Sequence, residues 1–413
     1  MPQTLGEAHT DEDKVKAIID HNFRGHQGEP EPPPPLQTLK GVKTPKDTLV
    51  LQLRYALSKT NNNSTPGDDK VLYKLLKLLQ NTRLGTQVFK FLADFLRSKR
   101  TTFSGKENGR DMTVVMIPKP GKDLSTTKGW RPIVLMSCLL KLMDKVVAHE
   151  LQHLDIFHPG QFESRKGKAA IDMAIQSTTE AQLSRKKGEQ VAWALGDISF
   201  AFNYVQKETV LKKLESHEGL TRYIHWFFQS RQASITWDGE ARGTRLVGAG
   251  VPQGSPLSSV VFAIAIAKVL EDTDKRLLRE IPSHMITTYS YVDDFNCTAR
   301  EKTGYRQRGR KPNTITATRK ARTILSEELG ANGWSRDLDK DEEIDFRVTG
   351  EAKWVGITFN YNLSWKTHCD RRLNLAEAAW ACISRLGNSR GSLSPEAWRQ
   401  VYTSSIRAIA TYS

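Results

Sequence analysis

The sequence predicts an α+β fold, and three stretches carry that prediction. The run Tyr289-Ser290-Tyr291-Val292-Asp293-Asp294-Phe295 sets two adjacent acids among aromatic and β-branched residues, the pattern of a β-hairpin with paired charge at its tip. From Val191 to Phe202 a largely apolar run, suited to a buried strand, is interrupted by Asp197. From Gly248 to Ser259 glycines and prolines mark a tight loop, with Ser255 as helix N-cap and Pro256 at the first helical position. The apolar stretch behind it, through Val260, Phe262, Ile264, Ile266, Val269 and Leu270, predicts a buried helix.

Each stretch also has a chemical reading. Neighbouring carboxylates ionise reluctantly unless a cation removes the penalty, and hard divalent cations prefer carboxylate oxygens. A solvated Asp-Asp turn is the plain alternative for Asp293 and Asp294. A lone buried carboxylate at Asp197 is costly unless paired, hydrogen-bonded or metal-bound. Its plain alternative is the cap of a helix starting near Ser199. If the strand carrying Asp197 lies beside the hairpin, the three acids could hold two cations about 3.5–4 Å apart, the geometry of in-line phosphoryl transfer. Gln253 offers donor and acceptor beside glycines that admit a ligand, although an ordinary helix-entry loop would look the same.

Composition narrows the class. The 413 residues carry a net charge of +15, which suits a polyanionic partner. Residues 300–322 hold nine basic side chains against Glu301 alone and read as an exposed basic loop. Contact with a nucleic-acid backbone is the preferred role, a nuclear-import patch the second and a solvated loop the third. The four cysteines lack Cys-x-x-Cys spacing, so neither a zinc knuckle nor a disulfide framework is expected. No signal peptide and no membrane-length apolar run is found, which predicts an intracellular protein, nuclear or cytoplasmic, without a membrane span. Residues 1–36, acidic and then proline-rich, read as a disordered leader. Helical periodicity follows through Leu49–Leu57, Val71–Leu96, Leu139–Leu154 and Ala169–Leu183, with a short strand near Thr113–Ile117. Leu373, Ala376, Trp380, Ile383 and Leu386 mark one face of a helix closed by Gly387, and Ser394-Pro395 starts another.

Further motifs stand in a fixed order with these three. They are Pro66-Gly67-Asp68-Asp69, Ile117-Pro118-Lys119-Pro120-Gly121-Lys122-Asp123, Gly129-Trp130-Arg131-Pro132-Ile133 and Gln161-Phe162-Glu163-Ser164-Arg165-Lys166-Gly167. After the Asp-Asp run come Lys353-Trp354-Val355-Gly356-Ile357-Thr358-Phe359, Leu363-Ser364-Trp365 and His368. In this order, over residues 45–413, the chain resembles the reverse transcriptase domain of a non-LTR (LINE-type) retrotransposon.

The resemblance implies a right-hand polymerase. Fingers and an N-terminal extension would span 37–190, a palm with an antiparallel sheet 191–368, and the start of a helical thumb 369–413. It implies an RNA-directed DNA polymerase working with two Mg²⁺ (or Mn²⁺) ions on Asp197, Asp293 and Asp294. RNA template, DNA primer and deoxynucleoside triphosphates would be its partners, with oligomeric state open. Lys119 and Arg131 match the pair that grips the triphosphate, as charge-assisted phosphate contacts require. Phe202 matches the aromatic that blocks a ribose 2′-hydroxyl, leaving Phe200 to the core. Gln253 matches a residue at the nascent base pair, and Arg165 and Lys166 would lie along the template. Lys340 takes the place of a general acid toward pyrophosphate, with surface ion pairing as the plain alternative.

Two positions depart from the family pattern. Asn203 stands where Asp is common, and Val292 where alanine is frequent. The ending suggests a fragment or a degenerate copy, and the latter could retain nucleic-acid binding alone.

Overall fold

The protein is described by a computed structural model covering residues 11–22, 42–97, 112–229, 231–237, 239–247, 250–302, 313–348, 350–385 and 394–412. Its N-terminal part is helical: α1 (Asp11–Asn22), α2 (Lys46–Ser58), α3 (Tyr73–Leu79) and α4 (Arg83–Arg97). The first of these lies inside the expected disordered leader, which is therefore partly helical, and it buries Val15 and Ile18. The rest of that leader is outside the described residues apart from the helix. In α4, Phe89, Leu92, Ala93 and Leu96 recur at helical spacing and form its buried face.

Strands β1 (Met112–Pro118) and β2 (Trp130–Leu135) lead into α5 (Cys138–Leu151) and α6 (Ala170–Lys186). Ser137 caps α5 by accepting from the Leu139 amide. Strand β3 (Val191–Ser199) precedes α7 (Lys207–Lys213) and α8 (Glu218–Phe227). The hairpin β4 (Arg231–Trp237) and β5 (Glu240–Val247) is followed by α9 (Ser258–Glu280), then by β6 (His284–Tyr291) and β7 (Asp294–Glu301). Helix α10 (Thr314–Ala331), strands β8 (Ser335–Arg336), β9 (Glu342–Asp345), β10 (Glu351–Trp354) and β11 (Ile357–Asn360), and helices α11 (Lys366–Ser384) and α12 (Pro395–Val401) follow, and a π-helical turn (Tyr402–Arg407) leads into the short α13 (Ala408–Ala410). Ser394 caps α12 ahead of Pro395, as expected.

A five-stranded antiparallel sheet is built around β3. One edge of β3 pairs with β7, whose other edge takes β6, and its opposite edge takes β8 and β9. Both faces of β3 are covered, which explains its unbroken apolar run. Val191, Trp193 and Leu195 join Tyr289, Trp354 and Phe359 in one core, while Ala194, Ile198 and Phe295 join the α9 core. Gly196 sits under the Phe295 ring, and an added Cβ would lie 2.4 Å from Phe295 Cζ. Phe295 is buried and has little room to yield, so Gly196→Ala is expected to cost about 1–3 kcal/mol. A thermal melt followed by circular dichroism measures that loss.

A second sheet has the order β2-β1-β4-β5, with β1 and β4 parallel. The β4–β5 hairpin lies within the range expected for the palm, yet it pairs with β1 rather than with β3. Helix α9 begins at Ser258, two residues later than the Ser255-Pro256 pair suggested. Ser255 still accepts the Leu257 amide, and its hydroxyl donates to buried Asp144 at 2.6 Å. No helix among the described residues is long and apolar enough to cross a membrane.

Candidate active site

Asp197 and Asp294 are direct partners in the β3–β7 register. Residues opposite one another in an antiparallel pair share a face, so the two carboxylates leave the sheet on the same side. Asp293 occupies the two-residue turn between β6 and β7 with Val292, and the Ile198 amide donates to Asp293 O at 2.7 Å. The hairpin and the strand thus stand side by side, the condition on which the two-cation reading depends. Asp197 does not cap a helix: β3 continues through Ser199, and a 3₁₀ turn covers Ala201–Tyr204.

The electrostatics follow from burial and like charge. Asp197 is 6% exposed. Burial, and next the charge of Asp293, push its pKa up to about 6 although Lys340 opposes the rise. Burial, then Asp293 and Asp197, push Asp294 up to about 7. Asp197 and Asp294 therefore resist ionising beside Asp293. Lys340, on the 3₁₀ turn Leu338–Lys340, donates to Asp197 Oδ2 at 2.6 Å. Burial pulls its pKa down, but the hydrogen bond and charge of Asp197, with Asp293 and Asp337, leave it above the ordinary value.

Among the described residues no three His, Cys, Asp or Glu side chains are gathered into a finished cation cage. The donor set nevertheless suits a hard divalent cation. It consists of carboxylate oxygens, and the ionisation of Asp197 and Asp294 is held back by burial and then by the charge of Asp293. The Lys340 ammonium already provides positive charge at Asp197.

Cationic groups of the other sheet gather near Lys340. Lys119 follows β1, its amide bonded to Gly129 O at 2.8 Å and its Nζ to Lys128 O at 2.9 Å. Arg131 pairs with Ile117 across β1 and β2 and is exposed. Burial, then Arg131, hold the Lys119 pKa below its ordinary value, with Lys340, Lys122 and Lys128 adding to the effect. A polyanion placed among these cations would relieve their mutual repulsion. Lys128 spans to Asp339 at 3.4 Å and ties the two sides together.

Phe202 lies on the 3₁₀ turn, half buried, with its ring 5.7 Å from that of Phe262. The loop carrying Gln253 crosses here. Val251 donates to Phe202 O at 2.8 Å, and Gly250, at φ +71°, passes so close that a Cβ would lie 2.6 Å from Asn203 O. Gln253 Nε2 reaches Asn203 Oδ1 at 3.5 Å, so the Asn that departs from the family pattern touches the Gln253 amide. Phe200, expected in the core, is only half buried, because its left-handed backbone (φ 54°) turns the chain there.

Other expected residues are placed differently. Arg165 donates to His158 O at 3.3 Å and Gln161 O at 3.4 Å, while Lys166 is exposed. The basic stretch 300–322 is not one exposed loop. Arg300 pairs with Glu180, Arg319 and Arg322 with Glu343, and Lys320 with Glu280. Residues 303–312, with Arg306, Arg308, Arg310 and Lys311, lie outside the described part. Sequence reasoning passed over Asp337, whose amide donates to Asp197 O at 2.9 Å, and Lys128. Each stands beside a residue it did choose, within three positions of Lys340 and Arg131.

Residues 117–341 match the family described as reverse transcriptase (RNA-dependent DNA polymerase), more than half of the chain. The chain belongs to the reverse transcriptase family. It is 24% identical over 349 residues to the Transposon TX1 uncharacterized 149 kDa protein of Xenopus laevis, covering 82% of this chain and 26% of that one. Over 275 residues it is 25% identical to the RNA-directed DNA polymerase from mobile element jockey of Drosophila funebris, covering 63% of this chain and 28% of that one. Over 167 residues it is 27% identical to the Retrovirus-related Pol polyprotein from type-1 retrotransposable element R2 of Popillia japonica, at 38% and 23% coverage. These relatives place this reverse transcriptase domain in the non-LTR group that the motif order suggested. The chain spans about a quarter of the length of the curated relatives it matches. Among solved structures, telomerase from Candida albicans in complex with a telomeric RNA fragment aligns at TM-score 0.45 and 14% identity, covering 75% of this chain and 57% of that one.

Proposed function

We propose that this reverse transcriptase domain copies an RNA template into DNA, extending a primer with deoxynucleoside triphosphates. The observation that carries the reading is the cross-strand pairing of Asp197 with Asp294 beside Asp293, with Lys340 between these acids and the Lys119 cluster of cations.

In this reading Asp197, Asp293 and Asp294 would hold two Mg²⁺ ions. Those ions, when bound, lower the pKa of the primer 3′-hydroxyl and stabilise charge on the reacting phosphate. The protein's own groups do the rest. Lys119 and Arg131 bind and orient the triphosphate, and Lys340 carries the proton for the departing pyrophosphate. Phe202 excludes a 2′-hydroxyl, and Gln253, braced by Asn203, lies along the new base pair. Lys166 offers an exposed cation to the template backbone, whereas Arg165 shapes the loop that presents it.

Primer extension on an RNA template with deoxynucleotides and Mg²⁺ tests the whole reading. Template-dependent products that vanish with chelator are expected. A protein that binds template and primer yet adds no nucleotide would be a decayed copy retaining binding alone. For sugar selection, Phe202→Ala is expected to raise ribonucleotide incorporation relative to deoxynucleotide by about tenfold or more. No gain in the competition assay would remove Phe202 from that role.

A further inference from the structure

The segment between α5 and α6 runs beside β6 as a short parallel edge. Gln161 bridges to Ser290, the Ser290 amide donates to Gly160 O at 3.0 Å, and the Phe162 amide to Ser290 O at 3.1 Å. Continued by one step, a parallel ladder would next take the Val292 amide onto a backbone carbonyl. Instead Ser164 and Val292 both turn to positive φ, 53° and 54°, beside the Glu163 carboxyl, whose charge the Val292 backbone favours. A β-branched residue at such a φ is an outlier that the surroundings must enforce.

Glu163 is 2% exposed, and the side chains that reach it there donate hydrogen bonds. Gln161 Nε2 gives Oε1 a hydrogen bond at 3.1 Å, and Ser290 Oγ gives Oε2 one at 3.4 Å. Gln161 is itself fixed between Ala263 O of α9, at 2.8 Å, and the His158 amide, at 2.7 Å. Such a cradle suits a group that only accepts, which is an ionised carboxylate. Burial pushes its pKa up to about 7, with the hydrogen bonds opposing, so holding the charge there is costly.

We propose that Glu163 is a positioning residue, whose buried carboxylate, held by Gln161 and Ser290, supports the strained turn at Val292 and so aims Asp293 and Asp294. This rests on the reading that those two acids hold the catalytic cations.

The test is Glu163→Gln, which keeps the volume but turns one acceptor into a donor. Losing a charge-assisted bond predicts a kcat about tenfold lower or more, with nucleotide KM and template–primer affinity within about twofold of wild type. The Mg²⁺ concentration for half-maximal rate should rise. Backbone hydrogen exchange in the peptide spanning 289–295 should quicken about tenfold, with exchange elsewhere unchanged. Adding Val292→Gly, which accepts positive φ without strain, should shrink the Gln penalty. Wild-type kcat and Mg²⁺ dependence in Glu163→Gln overturns the proposal. So does uniformly faster exchange with a melting temperature falling in step with rate, because Glu163 would then merely support the fold. If the wild-type protein extends no primer, the polymerase reading fails instead. Exchange over 289–295 still decides whether Glu163 holds the turn, and no change there overturns it.

Discussion

Asp197→Asn is expected to lower nucleotide incorporation by at least about a thousandfold while leaving the fold and template binding intact. Lewis-acid stabilisation of a phosphoryl transition state is worth several kcal/mol, and each 1.36 kcal/mol is tenfold in rate. Asn keeps the shape of the side chain but offers one neutral oxygen where Asp197 supplies two charged ones. The fold should tolerate the change, since burial and Asp293 already oppose the Asp197 charge. Lys340 loses its partner at 2.6 Å, but half of its side chain is exposed and can turn to water. Single-nucleotide incorporation on an RNA template, beside circular dichroism and template affinity, measures all three quantities. A variant retaining a tenth of the wild-type rate would take Asp197 out of the reaction.

Without divalent cations, the protein is expected to lose stability as pH rises from about 4 to about 7, and Mg²⁺ to restore it. Asp197 and Asp294 titrate near 6 and 7, above the ordinary 3.8. An acid whose pKa is raised by folding binds its proton more tightly in the folded chain. Its contribution is therefore favourable below the unfolded value and is lost as pH climbs through the folded one. Two coupled groups shifted this way amount to a few kcal/mol. Glu163, near 7, acts in the same sense. His225 and His284, whose pKa values burial lowers, act in the opposite one. The clean measurement is thus the difference between wild type and Asp294→Asn in chelator. The variant should have the shallower fall in melting temperature and the smaller gain on adding Mg²⁺. A cation at about a hundred times its dissociation constant returns about 2.7 kcal/mol. Equal slopes for the two proteins would mean that the acids do not share a site.

Much of the site was legible because it is local. An Asp-Asp pair between strand-like runs fixes a hairpin, and an acid inside an apolar run marks a place where charge needs a reason to stay. The Ser394-Pro395 start of α12 is an equally local signal. What escaped depends on distant partners. Nothing in Arg231–Trp237 announces that it will lie parallel to β1, more than a hundred residues earlier. Left-handed φ at Phe200 and Val292 is imposed by surroundings, not by residue type. The stripe on α11 foretold a covered face, yet Leu373 is 54% exposed and Trp380 48%. Periodicity shows that a face is apolar but not what covers it. Trp380 meets the Trp398 ring of α12 at 6.1 Å, and Leu386 and Gly387 lie outside the described residues.

The parallel contact between β1 and β4 has a temporal consequence. During synthesis, Met112–Pro118 leaves the ribosome long before Arg231–Trp237 exists. One edge of the earlier strand must wait, exposed to stray pairing, until β2, β3 and the four helices α5–α8 have been made. Expression fragments cut between the two halves would carry that raw edge permanently, and aggregation is the outcome to expect of them.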